Sequence, residues 1–396
     1  ERFARRSALP AGPFDLWLHG VSVGEVQVVA RLVRQLLRTD PALRVLVTTT
    51  TPTGSRRVAG ALGDAVEHCY LPYDLPGAMT RFLERVRPGL VVLAETELWP
   101  NLLERCAARD LPVVLVNARL SQRSAAGYAR LAPLMRRMLG RVRLVAAQSA
   151  TDGARFLALG LAPERLTVTG SAKFDLELPA SLMEQAQVLR RQLGVDRGIW
   201  IAASTHEGEE ELVLEAFARV RDGDPAALLV LVPRHPERFP RVAALARRRG
   251  FATAMRSAQP RSVDAAAVYL GDTMGELPLL YAAADVAFVG GSLVPTGGHN
   301  LLEPAALGLP VLTGPHLFNF AEISALLRER EAAQVVSGPH ELAAAVLELL
   351  ADPNLRHRRG EAGRRVVDEN RGALGRLTAA VGGLLAERGR PPRGRG

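Results

Sequence analysis

Cysteine is almost missing from this chain: only Cys69 and Cys106 occur in 396 residues. Neither has a second cysteine or a histidine at metal-ligand spacing, so a disulfide framework is excluded and no structural zinc site is indicated. A reducing cytoplasm suits such a chain. Aromatic residues are also few, at 5%, which leaves little of the stacking surface that single-stranded nucleic-acid binding uses. No apolar run approaches the roughly 18 residues that span a bilayer, and no basic-apolar-small leader opens the chain. The expectation is a protein that is soluble or bound to a surface. Neither a G-x-x-x-x-G-K-[ST] loop nor a G-x-G-x-x-G fingerprint stands between a strand and a helix, which disfavours ATPases and ordinary NAD enzymes.

What is present is positive charge. A formal charge of +9 with a pI near 10.5 favours an anionic partner, whether nucleic acid, acidic lipid or a phosphorylated small molecule. The length predicts two domains of about 150–200 residues each.

Apolar runs bounded by turn residues recur with helical segments between them at Leu16–Val21, Arg44–Thr49, Leu90–Ala94, Val113–Val116, Val142–Ala147 and Leu166–Thr169. A second series follows at Ile199–Ala203, Leu228–Val232, Ala266–Leu270, Val286–Gly290 and Pro310–Thr313. This βαβ alternation predicts two doubly wound α/β domains with parallel sheets. The boundaries read as an N-terminal domain over 1–172, a linker over 173–198 ending at Gly194 and Asp196–Gly198, a C-terminal domain over 199–360, and a helix with a basic tail over 361–396. The last residues, Arg388–Gly396, have the composition of a disordered segment.

The densest signal is Gly297-Gly298-His299-Asn300-Leu301-Leu302-Glu303-Pro304, behind the strand-like Val286–Val289 and the turn Gly290-Gly291-Ser292. Such a loop lets backbone N–H groups approach a phosphate, and a helix starting near Asn300 would aim its positive end there. Asn300-x-x-Glu303 is equally a helix-start signal. His19-Gly20-Val21-Ser22-Val23-Gly24-Glu25 ends the first strand and opens a helix with Val26, Val29, Val33 and Leu36 on one face. Ligands gather at such strand ends, yet Ser22-x-x-Glu25 is also a capping box. Glu25→Gln would separate the readings, because glutamine still serves the box but accepts no proton.

Glu95-Thr96-Glu97-Leu98-Trp99-Pro100 puts two carboxylates and an indole at another strand end, where the alternative is exposed charge with Trp99 as a packing anchor. Arg234 and His235 close the strand Leu228–Val232, the arginine suited to carboxylate or phosphate. Ser204-Thr205-His206-Glu207-Gly208, Gly271-Asp272-Thr273-Met274-Gly275-Glu276, Asn117-Ala118-Arg119-Leu120-Ser121 and Gly170-Ser171-Ala172-Lys173 end further strands. Their convergence is more informative than any one.

Together these blocks, with Pro233–Phe239 and Gly314–Phe320, resemble the 3-deoxy-D-manno-octulosonic acid (Kdo) transferases, from Leu16 to about Glu322. The resemblance implies a GT-B glycosyltransferase, two Rossmann-like domains facing across a cleft. The acceptor, a lipid A precursor, would lie on the N-terminal domain and CMP-Kdo on the C-terminal one. Glu25 is then the general base, and the product forms with inversion. Glu97, with Glu95 beside it, supports Glu25 or the acceptor, which His19, Ser22, Gly24, Arg119 and Lys173 help to hold.

On the donor side the resemblance implies Arg234 near phosphate and sugar carboxylate, with catalytic weight, and Thr273, Met274 and Gly275 beside the cytidine. Asn300 and Glu303 fall at phosphate and ribose, and Ser204, Thr205, His235, Gly298 and His299 complete the set. Neither metal nor other cofactor is expected, since cationic side chains offset the charge on departing CMP. An anionic membrane surface, at the cytoplasmic face of the bacterial inner membrane, becomes the expected partner rather than nucleic acid. Arg2, Arg5, Arg6 and a helix Tyr128–Leu139 carrying Arg130, Met135, Arg136, Arg137 and Met138 are candidates to touch it. Relatives usually begin with a hydrophobic anchor, so either one lies outside this chain or attachment is peripheral. Leu301 stands where proline is common in the family. The rival readings are a sugar-nucleotide 2-epimerase of the same architecture and a non-enzymatic anionic-ligand or RNA-binding protein.

Overall fold

The computed structural model describes residues 2–4, 9–259 and 263–388. The chain divides into two units, Glu1–Asp175 with Asn370–Gly396, and Leu176–Glu369. In the first, the strands are β1 (Phe14–His19), β2 (Val45–Thr49), β3 (Glu67–Tyr70), β4 (Pro88–Ala94), β5 (Val113–Ala118), β6 (Leu144–Ala147) and β7 (Leu166–Val168). They form one parallel sheet in the order β3-β2-β1-β4-β5-β6-β7. The chain winds outward from β1 and then returns to lay β4 on its other side. Helices cover both faces, so β1 alternates Trp17, packed with Phe82 and Val91, against Leu16 and Leu18, packed with Val29 and Val92. Burial on both faces is why these strands read as unbroken apolar runs.

The second unit repeats the plan with β8 (Ile199–Thr205), β9 (Leu228–Pro233), β10 (Thr253–Met255), β11 (Val268–Leu270), β12 (Val286–Val289), β13 (Val311–Thr313) and β14 (Ala333–Val335). Their order is β10-β11-β9-β8-β12-β13-β14, so the direction of winding reverses between β8 and β12. Three strands, β3, β10 and β14, are absent from the sequence reading, and each is a sheet edge.

The unit boundaries also differ from the expected ones. The stretch assigned as a linker carries helix Leu182–Leu193, whose Leu182, Ala186, Leu189 and Leu193 pack into the second core with Ile199 and Leu280. The second unit therefore begins at Leu176. The final helix, Ala373–Arg388, returns to the first unit, where Leu374, Leu377 and Val381 join the core beside Val29 and Val92. Asp175 caps it, accepting from the N–H groups of Gly372 and Leu374, both at 2.6 Å. Arg376 Nε donates to the Thr169 carbonyl at 2.8 Å.

The single helix expected over Tyr128–Leu139 is two, Gln122–Ala129 and Ala132–Leu139, with Pro133 in the first turn of the second, a position proline tolerates and a helix interior does not. Met135 and Met138 face the core, at 2% and 3% exposure, whereas Leu131 and Leu134 are exposed. Arg5, Arg6 and residues 389–396 lie outside the described residues. Among the described residues no helix is long and apolar enough to cross a membrane.

Candidate functional site

In open α/β sheets, ligands bind at strand C-termini where the winding reverses. At that point in the first unit, β1 ends at His19 and Ser22 turns the chain into helix Val23–Thr39. Ser22 Oγ accepts from the Glu25 N–H at 3.2 Å, and the Glu25 carboxylate accepts from the N–H groups of Ser22 at 3.2 Å and Val21 at 2.8 Å. The capping box is thus formed, with both carboxylate oxygens engaged. Glutamine could match only one of these bonds, so it is not the neutral cap that the sequence pattern suggests. Glu25 is 6% exposed, while Ser22 and Gly24 are exposed beside it.

Glu95 and Glu97 arrive from the end of neighbouring β4. Glu95 holds a left-handed φ of 56° while its N–H donates to Val116 O at 2.9 Å, a strained conformation of the sort that clusters at functional sites. Burial, and then the charges of Glu25 and Glu95, push Glu97 up to about 7. The Trp99 indole N–H lies close enough to Glu97 to oppose that rise, but outside hydrogen-bonding geometry, and finds no partner among the described residues. Three carboxylates therefore share one end of the sheet.

His19 is completely buried, its Nδ1 2.9 Å from Thr48 Oγ1 and 3.1 Å from the Thr48 carbonyl. A carbonyl only accepts, so Nδ1 carries the hydrogen and Nε2 keeps a lone pair without a partner among the described residues. Burial pulls the ring's pKa down to about 4, the Thr48 carbonyl opposing and the Arg2 charge assisting. The ring is neutral at pH 7.

Asn117, at the end of β5 with φ 52°, accepts from the Ala172 N–H at 3.1 Å. Arg31 donates to the carbonyls of Ala172 and Asp175 at 3.0 and 2.9 Å. These bonds hold the segment bearing Lys173, the only lysine in a chain whose other Lys/Arg positions are all arginine. Lys173 presents a compact ammonium where every other basic position presents a planar guanidinium. The carbonyl of Arg119 accepts from the Thr96 hydroxyl, which links the β4 and β5 loops.

In the second unit the corresponding reversal is organised by a residue that motif reading missed. Glu209, fully buried at the start of helix Glu209–Gly223, accepts from the N–H groups of Gly291, Ser292 and Leu293 at 2.6, 3.0 and 2.9 Å, and from that of His206 at 3.2 Å. The N–H groups of the turn ahead of the expected phosphate loop are thus not open to an anion, because the chain's own carboxylate takes them. Gly290 is required, because a Cβ there would stand 2.6 Å from Glu209 Oε2. The neighbouring Glu210 is also fully buried, paired to Arg238 at 2.9 Å and to the Thr205 hydroxyl at 3.1 Å, yet burial raises it to about 7. Both glutamates sit in a run of three at a helix start, which by itself signals only helix-dipole complementarity.

His206 and His299 meet across the ends of β8 and β12, their Nε2 atoms 2.7 Å apart and their rings within 9° of parallel. His235 sets its edge against His206 at 5.4 Å, and the adjacent Arg234 is exposed. Burial, and then the charges of His206, Arg234 and His235, lower His299 to about 4. Ser204 takes a left-handed φ of 57° at the register shift between β8 and β9. The positive φ of Gly297 and Gly298, 100° and 76°, turns the chain into His299. Among the described residues no group of three His, Cys, Asp or Glu side chains is arranged to hold a metal ion.

Asn300 and Glu303 form the helix start that their spacing suggests: Asn300 Oδ1 accepts from the Leu302 N–H at 3.1 Å, and Asn300 Nδ2 donates to Glu303 at 3.1 Å. The helix itself begins at Leu302 and is only five residues long. Thr273, Met274 and Gly275 occupy a separate loop after β11. There the Thr273 hydroxyl donates to Glu276, which Arg256 grips at 2.8 and 3.0 Å, and Met274 is left 64% exposed.

Residues 1–176 match the family model described as 3-deoxy-D-manno-octulosonic-acid transferase (kdotransferase), and residues 199–366 match glycosyl transferases group 1. The 3-deoxy-D-manno-octulosonic acid transferase of Haemophilus influenzae is 46% identical over 366 residues, covering 92% of this chain and 86% of the relative. That of Bordetella pertussis is 39% identical over 397 residues, covering 96% and 90%. The UDP-GlcNAc 2-epimerase of Neisseria meningitidis, solved with UDP-GlcNAc bound, has a TM-score of 0.61 at 14% identity over 94% of this chain and 99% of that one, a likeness of fold alone. With such identity sustained from one unit through the other, the chain belongs to the 3-deoxy-D-manno-octulosonic acid transferase family and is a glycosyltransferase of GT-B fold.

Proposed function

We propose that this enzyme moves Kdo from CMP-Kdo to the lipid A precursor, with inversion, at the cytoplasmic face of the bacterial inner membrane. The observation that supports this most is the carboxylate cluster at the end of β1 and β4, where Glu25 stands with Glu97, a residue held near 7. Glu25 takes the proton of the acceptor hydroxyl as its oxygen attacks the anomeric carbon of Kdo. The bond to CMP breaks with its electron pair on the phosphate oxygen. To accept that proton Glu25 loosens its hold on the helix start, for which the 3.2 Å bond from Ser22 is the weaker point.

His19, Ser22, Gly24, Glu95, Arg119 and Lys173 make the acceptor side, the two cations matched to the phosphates of a lipid A precursor. On the donor side Arg234, His235 and His299, with Ser204 and Thr205, meet phosphate and sugar carboxylate. Thr273, Met274 and Gly275 take the cytidine, and Gly298, Asn300 and Glu303 take phosphate and ribose. Positioned cations and N–H groups offset the charge on departing CMP, so the chemistry needs no metal. A charge of +9 and the exposed Leu131 and Leu134, in sequence with Arg130, Arg136 and Arg137, suit peripheral contact with an anionic bilayer.

The test is CMP release from CMP-Kdo with and without the tetraacylated lipid A precursor, with the lipid weighed by mass spectrometry. Release that depends on the lipid and adds Kdo mass to it is expected. Folded protein that turns over nothing, in detergent or in lipid, would sink the assignment.

A further inference from the structure

Two imidazole nitrogens 2.7 Å apart, as His206 Nε2 and His299 Nε2 are, share one hydrogen: one ring donates it and the other accepts it. The accepting ring then carries its own hydrogen on Nδ1. The donating ring, with its hydrogen on Nε2, has a bare Nδ1. One further proton can enter there without breaking the shared bond, and a second cannot, because two N–H groups would then face each other.

The charged and titratable groups around the pair are few. Arg234 and His235 follow β9, Arg238 lies in the next turn, and Glu209 opens the helix after β8. The two arginines and His235 oppose an added proton. Glu209 favours it but has spent its oxygens on four backbone N–H groups, and Arg238 is held on Glu210 at 2.9 Å. At rest the balance, together with burial, keeps the pair neutral. A dianion set beside Arg234 would reverse it.

Building on the donor reading above, we propose that His206 and His299 act as a proton-storing pair, neutral beside the singly charged phosphodiester of CMP-Kdo and singly protonated beside the doubly charged phosphate of CMP. The balance closes. The acceptor hydroxyl gives up one proton as its oxygen bonds to Kdo, the donor C–O bond leaves its electron pair on phosphate, and the phosphate charge goes from −1 to −2. One proton is thus released and one is taken up by the pair, which returns it to solvent when CMP departs. The pair thereby stabilises the leaving group at the moment its charge appears.

Calorimetric titration of the whole chain with CMP at pH 7.5, in two buffers of different ionisation heat, counts the protons bound. CMP is already close to a dianion there, since a phosphate monoester has its second pKa at about 6, so uptake reports on the protein. About one proton per CMP is expected, none for cytidine, and close to none for CMP with His299→Gln or His206→Gln. Binding of CMP without uptake would overturn the proton pair and leave the donor reading standing. Uptake that persists in both variants would also overturn it, by placing the proton elsewhere. Failure of the folded parent chain to bind CMP would instead overturn the donor reading, and this proposal with it.

Discussion

Replacing Glu25 by glutamine sets the capping and catalytic roles of one side chain against each other, and their magnitudes differ enough to be told apart. Both Glu25 oxygens accept backbone N–H groups, at 2.8 Å from Val21 and 3.2 Å from Ser22. Glutamine keeps one acceptor and turns an NH2 toward the other N–H, so one charge-assisted bond is lost at a cost of about 1–2 kcal/mol. For units of this size that is a fall in Tm of roughly 2–8 °C. Against a stability of about 5–15 kcal/mol the protein stays folded at 25 °C, so a purely structural Glu25 predicts a rate within about tenfold of the parent. A general base lost at Glu25 predicts a fall of about 10²–10⁴. Ser22→Ala separates the cap from the carboxylate: it removes the hydroxyl cap, so Tm should drop, while the rate at saturating acceptor should fall far less than in Glu25→Gln, any loss of acceptor contact showing in KM. Lipid-dependent CMP release and thermal melting on the same samples decide the matter, and Glu25→Gln turning over within tenfold of the parent would refute the base assignment.

Glu97, held near 7 against an ordinary value of 4.5, keeps its proton in the folded state while the unfolded chain has already released it. Its contribution to stability therefore falls as pH rises from about 4.5 to 7, and denaturant titrations should show Glu97→Gln relieved of that slope. Ionised Glu97 also adds negative charge where the acceptor's proton arrives, so the pH-rate profile should rise through about 7 and lose that inflection in the same variant. His19 runs the other way. The unfolded chain binds a proton below about 6.5 and the folded one only near 4, so stability is full above 6.5 and falls by up to roughly 3 kcal/mol as pH drops toward 4. In His19→Gln the unfolding free energy should be flatter over that window. Glu209→Ala would strand the N–H groups of Gly291, Ser292, Leu293 and His206, costing at least about 4 kcal/mol at about 1–3 kcal/mol per group. Denaturation should show that loss, and CMP affinity should weaken as the loop after β12 loses its frame.

The central strands were legible because burial on both faces makes an apolar run that no surface helix shares. The edges were not. Glu67-His68-Cys69-Tyr70 and Ala333-Gln334-Val335 expose part of their side chains, so their pairing comes from a neighbouring strand and leaves little local trace. Helix Ala373–Arg388 was legible as a helix but not in its destination, since it reads as a separate segment beyond the second domain while Asp175, nearly two hundred residues away, caps it in the first unit. The site divides in the same way. Glu25, Glu97, Arg234 and His299 stand in short motifs at strand ends, where spacing carries the signal. Glu209 acts on a loop more than eighty residues away, and three glutamates at a helix start conceal which of them does so.

Glu25 and Glu209 occupy matching places, each just after the first strand of its sheet and in the first turn of the helix that follows. Each satisfies backbone N–H groups that an incoming anion could otherwise use. Their surroundings assign them opposite work. Glu25 holds only the turn that precedes it, by one short bond and one longer one, and has ionisable Glu97 beside it. Releasing the longer of those bonds costs about 1–2 kcal/mol, which a reaction barrier readily absorbs. Glu209 is fully buried and holds three successive N–H groups of a distant loop, as well as that of His206. Moving it would dismantle the frame that carries His206 and His299. In the proposed mechanism the same βα turn thus yields a proton acceptor in one unit and a fixed strut in the other, and the location of the N–H donors, local or remote, is what separates them.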